Sequence, residues 1–128
     1  MTVFVFDLDG VIAEENPKRL QSLALDRGLW EVYYWELTPV LGVVDAIRKL
    51  RDEGHYVVIY TSRRESDRNV TERWLESYGI PYDELVMNKP RGQVYVDDRG
   101  YRFEGWDKFE SDFRVLGFEE DIPDDREG

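Results

Sequence analysis

The sequence contains no cysteine, which excludes disulfides and thiolate metal sites. No apolar run approaches the ~20 residues of a membrane span. The first apolar stretch is short and lacks a basic leader, so no signal peptide is expected and the reading is a cytoplasmic protein with no membrane partner. Basic residues are in deficit: 17 Lys and Arg stand against 28 Asp and Glu, for a net charge of -11. A general binder of nucleic acid or anionic membrane needs the opposite balance. There is no G-x-G-x-x-G and no P-loop, so a dinucleotide enzyme and a Walker-type kinase are without support. No internal repeat or low-complexity linker appears. At 128 residues the chain is long enough for one core and too short for two.

What basic charge there is comes in clusters: Arg63 with Arg64, Lys89 with Arg91, Arg99 with Arg102. Local cationic spots on an acidic protein suit a small anionic ligand better than a polyanion. The acidic excess gathers at the end, where E-E-D-I-P-D-D-R-E-G (119–128) reads as a solvated tail following one domain over 1–118.

T-V-F-V-F (2–6) reads as a strand covered on both faces, because its apolar run is continuous. Asn16-Pro17 caps a helix that runs to about Arg27 and stops at Gly28. The aromatic stretch L-W-E-V-Y-Y-W-E-L (29–37) carries no clear period. Thr38-Pro39 starts a further helix on Val40, Val43, Val44, Ile47 and Leu50, closed by Gly54. Y-V-V-I-Y (56–60) is a second buried strand. Ser66 caps a helix carrying Val70, Trp74, Leu75 and Tyr78, closed by Gly79. Glu84–Met87 and Gln93–Val96 read as two short strands, and a short helix follows Gly105. Strands alternating with helices make an α/β domain with a mainly parallel sheet. Ligands of such sheets bind at the carboxyl ends of the strands.

Those ends carry the chemistry. Strand one stops at Asp7, with Asp9 two residues on. Strand two stops at Thr61-Ser62-Arg63, strand four at Asp97-Asp98, and Lys89 precedes that last strand. Carboxylates from two strands in one crevice repel unless a divalent cation joins them, and an all-oxygen set points to Mg²⁺. A metal-anchored phosphate is open to in-line attack by a carboxylate, giving an aspartyl-phosphate. A second aspartate on the same turn would protonate the leaving oxygen and then activate water. A lysine and a hydroxyl would hold the remaining phosphoryl oxygens. An EF-hand loop starting at Asp7 fails, since its glycine falls fourth, at Gly10, and its twelfth residue is Lys18.

In order, these motifs resemble the haloacid dehalogenase superfamily of phosphatases. D-L-D-G-V (7–11) looks like its first motif, Thr61 in I-Y-T-S-R its second, Lys89 its third and V-D-D (96–98) its fourth, over roughly residues 2–103. The resemblance implies a Rossmann-like three-layer fold. It makes Asp7 the nucleophile and Asp9 the acid/base. Thr61, with Ser62 beside it, and Lys89 would bind the phosphoryl group. Mg²⁺ would sit on Asp7, Asp97 and the Asp9 backbone carbonyl, with Asp98 supporting the metal site. Only seven residues separate Lys89 from Asp97, which looks like a compact subgroup that includes capsule-biosynthesis-type phosphatases. There is minimal or no cap, and residues 14–38 form a small lid insert at most. The implied substrate is a small phosphate monoester: a sugar phosphate, a nucleotide or a phosphorylated nucleic-acid end. Arg63 is a candidate substrate contact, or else a surface partner of Glu65. The alternatives are a non-catalytic phosphate- or partner-binding module on the same fold, and a phosphotransferase. His55, at a strand start, reads as structural or exposed. Trp30, Tyr33, Tyr34 and Trp35 read as core or lid packing, with base or sugar stacking as the other reading.

Overall fold

The first strand forms as β1 (Val3–Phe6) and pairs in parallel with β2 (Tyr56–Tyr60), which pairs in parallel with β3 (Glu84–Val86). The sheet order is β1-β2-β3, with Phe4 opposite Val57 and Ile59 opposite Leu85. The computed structural model describes residues 1–15 and 18–115. Side chains alternate across a strand, so Phe4, Phe6, Val57, Ile59 and Leu85 share one face, and all five are buried. Val3, Val5 and Val86 on the other face are exposed, so β1 is not covered on both sides as its unbroken apolar run suggested.

Parallel neighbours need crossover connections. Here α3 (Val43–Asp52) joins β1 to β2, and α4 (Arg68–Ser77) joins β2 to β3. Helix α3 begins later than Thr38-Pro39 because that segment is already engaged. The Glu14 amide donates to the Thr38 carbonyl at 2.8 Å and the Val40 amide to the Ile12 carbonyl at 2.8 Å. Ser66 lies inside a single 3-10 turn (Glu65–Asp67) leading into α4 rather than capping it. The last helix, α5 (Trp106–Val115), lays Trp106, Phe109 and Phe113 against Phe4 and Phe6 at centroid separations of 5.2 to 5.9 Å. This is an α/β fold of the Rossmann-like type: a parallel sheet flanked by helices.

Residues 14–38 contain α1 (Lys18–Arg27) and α2 (Trp30–Trp35). The aromatic stretch is thus mostly a short helix, and it packs on α4, with the Trp74 indole donating to the Leu37 carbonyl at 2.8 Å. The proposed cap at Asn16-Pro17 and the acidic tail at 119–128 lie outside the described residues. His55 is buried: its Nδ1 accepts from the Thr2 amide at 3.1 Å and its ring meets Phe4 edge-on. Among the described residues no helix is long and apolar enough to cross a membrane.

The strand expected over Gln93–Val96 is absent. Val94 is 78% exposed and Val96 96%, and residues 91–105 form no regular element. The Tyr95 hydroxyl instead donates back to the Pro90 carbonyl at 2.8 Å and accepts from the Gly92 amide at 3.0 Å. These local bonds close the segment on itself, and among the described residues no neighbouring strand receives its amides.

Candidate functional site

Leu8 explains why Asp7 and Asp9 emerge together. It is fully buried, as is Ile12, and its carbonyl accepts from the amides of Val11, Ile12 and Ala13. With Leu8 turned into the core, its neighbours at 7 and 9 are turned toward the strand-end crevice. Gly10, at φ +89, makes this tight turn without the strain a side chain would carry there, and its amide reaches the Ala13 carbonyl at 2.8 Å.

The ladder between β2 and β3 continues past both strands and brings the other groups in. The Thr61 amide donates to the Val86 carbonyl (2.9 Å), the Lys89 amide to the Thr61 carbonyl (2.9 Å), and the Asn88 amide to the Arg63 carbonyl (2.8 Å). Asn88 adopts φ 63, which asparagine tolerates better than most residues, and its Oδ1 accepts from the Glu65 amide. Thr61 is buried, its Oγ1 accepting from the Arg63 amide at 3.2 Å, and Ser62 beside it is half-buried. The Lys89 ammonium lies 5.3 Å from the Tyr60 ring centroid and 4.5 Å from that of Tyr95, within cation-π range of both.

Burial pushes the Asp7 carboxyl above its ordinary range. The Lys89 charge and the Leu8 amide, which donates to Asp7 Oδ1 at 2.8 Å, act the other way, and the Asp9 charge adds to the rise. Asp9 meets a different partner. Arg63 Nε donates to its Oδ2 at 3.1 Å and Arg63 Nη2 to its Oδ1 at 2.7 Å, a two-point fork. A buried arginine without partners would cost several kcal/mol. This one, 2% exposed, also donates from Nη1 to the Thr71 hydroxyl at 3.1 Å and stacks on the Tyr34 ring at 3.8 Å. Arg63 is therefore neither open to solvent nor paired with Glu65, which bonds Arg68 instead.

Asp97 and Asp98 do not join this cluster. Both are exposed, and the Asp97 carboxylate accepts from the Arg99 amide of its own turn at 2.7 Å. Among the described residues no group of three or more histidine or acidic side chains is arranged to hold a metal ion. The expected metal set of Asp7, Asp9, Asp97 and Asp98 is thus not assembled among the described residues. The strand meant to carry Asp97 does not form, which leaves Asp97 and Asp98 on an exposed loop. Asp7, with the charge of Asp9 close enough to act on it, is what the strand end would offer Mg²⁺. Thr71 and Asn88 escaped the sequence reading, and so did the contact of Tyr34 with Arg63. Tyr34 was read as packing, with its three aromatic neighbours, and is buried as that reading expects, while nothing in the sequence marks Thr71.

No protein-family profile matches the chain, and no curated protein does. Solved structures do. A structural-genomics target from Vibrio cholerae is 23% identical with a TM-score of 0.63, over 94% of this chain and all of that one. A chain of the Pnkp1/Rnl/Hen1 complex is 23% identical with a TM-score of 0.50, over 76% of this chain but only 30% of the other. The D,D-heptose 1.7-bisphosphate phosphatase from B. bronchiseptica, complexed with magnesium and phosphate, is 19% identical over 91% of this chain and 64% of its own. Its TM-score is 0.47. At these identities the likeness is one of fold.

Proposed function

We propose that the protein is a phosphatase of the haloacid dehalogenase type, hydrolysing a phosphate monoester through an aspartyl-phosphate on Asp7. The observation that carries this reading is the gathering of Asp7, Asp9, Thr61, Ser62 and Lys89 around the carboxyl ends of parallel strands. An Asp7 oxygen attacks phosphorus while the leaving oxygen takes a proton from Asp9. Asp9 then removes a proton from the water that attacks the phosphoryl group and frees Asp7. Lys89, whose charge already acts on Asp7, neutralises the phosphoryl oxygens, with Thr61 and Ser62 supplying hydroxyl donors. Mg²⁺ is the cofactor this reading calls for, adding charge neutralisation at the phosphate. The substrate class is a small sugar phosphate, a nucleotide or a phosphorylated nucleic-acid end.

A second reading has its own support. The unassembled metal set suits a module that binds phosphate or a partner without turning it over. Hydrolysis of an aryl phosphate, with Mg²⁺ and with EDTA, separates the two. Mg²⁺-dependent turnover that Asp7→Asn abolishes is the expected result. A native protein that binds inorganic phosphate in calorimetry but releases none from any ester would establish the binding module.

A further inference from the structure

Asp9 could project from its turn in several rotamers, yet an acid/base must meet both a leaving oxygen and a water. What fixes it is not on its own turn. We propose that Arg63 is the positioning residue for Asp9, and that Tyr34 on α2 holds Arg63 in place, so that the 14–38 segment sets the acid/base carboxylate without touching substrate. This rests on the phosphatase reading of the same site.

Three observations carry the proposal together. The guanidinium meets Asp9 through Nε and Nη2, one bond to each oxygen, which fixes the carboxylate's plane as well as its position. Each Asp9 oxygen keeps a further lone pair, and the side chain is 32% exposed. Arg63 itself is not available to substrate, because its third donor edge is spent on Thr71, whose hydroxyl donates onward to the Asp67 carbonyl at 2.8 Å. Finally, the Tyr34 ring covers the guanidinium at 3.8 Å, buried, and is braced by Trp30 at 5.4 Å and Tyr33 at 5.7 Å. The line Tyr34, Arg63, Asp9 thus crosses from the helical insert to the strand end.

A lysine at 63 would keep the charge and lose the planar fork. Arg63→Lys is therefore expected to lower kcat for an aryl phosphate by about 100-fold, the scale of a misplaced catalytic group, with KM unchanged. In an Asp9→Asn background the same replacement should cost almost nothing further, because it acts through Asp9. Tyr34→Leu should lower kcat in the same pattern, and Tyr34→Phe, which keeps the ring, should lower it less. This pair tests the idea even if Arg63→Lys does not fold. An active native enzyme whose Arg63→Lys variant keeps its kcat, or raises KM instead, would overturn the clamp and leave the phosphatase standing. Equal kcat losses for Tyr34→Phe and Tyr34→Leu would remove Tyr34 from it. No turnover by the native protein would sink both readings together.

Discussion

Two aspartate pairs in this chain follow valine-bearing segments, and they come to opposite ends. Asp7 and Asp9 follow V-F-V-F, which pairs with β2 and lays its two phenylalanines under α5. Their turn is held by bonds to the Leu8 carbonyl, and Asp9 by a buried arginine. Asp97 and Asp98 follow Q-V-Y-V, whose valines stand in water and whose tyrosine bonds back into its own loop. An apolar run becomes a strand only where a neighbour accepts its amides and other side chains cover its face. The first segment has both, and the second has neither.

Hydrogen exchange gives the sharpest separation. The amides that bond between strands in the ladder of β1 and β2 should exchange only through global opening, and those of 93–98 at least about 10³-fold faster, given a typical domain stability. Slow exchange at Val94 or Val96 would break the comparison. Truncation should follow suit in denaturant melts: about 3–5 kcal/mol lost for Phe6→Ala and within about 0.5 kcal/mol of native for Val96→Ala. Similar losses at the two positions would mean that the loop is packed after all.

The smallest effect concerns the price of the buried carboxylate itself. Because burial raises Asp7, the native state holds that proton more tightly than the unfolded chain does. The stability this adds is present below the unfolded pKa and is lost as pH rises through the folded one. Asp7→Asn is free of that loss and retains an oxygen for the Leu8 amide. Its Tm, in metal-free buffer, should exceed the native value by a few degrees at neutral pH and by less in acid. A Tm difference that does not change with pH would contradict the direction of the shift.

Much of this was legible from residue order. The strands at 2–6, 56–60 and 84–87 follow from period and punctuation, as do two helices before Gly54 and Gly79, though the helices start later than Thr38-Pro39 and Ser66 suggested. D-L-D-G announces a turn with two outward carboxylates, because an apolar residue between two polar ones must face inward. Two things were not legible. Whether Q-V-Y-V pairs depends on a free edge and a covering layer, which no local pattern encodes. That Arg63 turns inward rather than toward Glu65 depends on Tyr34 and Thr71, which lie 29 and 8 residues away in sequence and come together only when α2 and α4 pack.

The aromatic layer over β1 also sets an order of events. Phe6 and its cover Trp106 are about a hundred residues apart, and the Trp106 indole also donates to the Val11 carbonyl, across 95 residues. During synthesis β1 leaves the ribosome long before its cover exists. It must wait without that cover while about a hundred further residues are made, and without a partner until β2 follows. Contacts this distant slow folding and lengthen the exposure of sticky surface. The nascent chain is therefore most prone to aggregate after β1 has emerged and before α5 has, and a chain cut short of Trp106 would stay in that state.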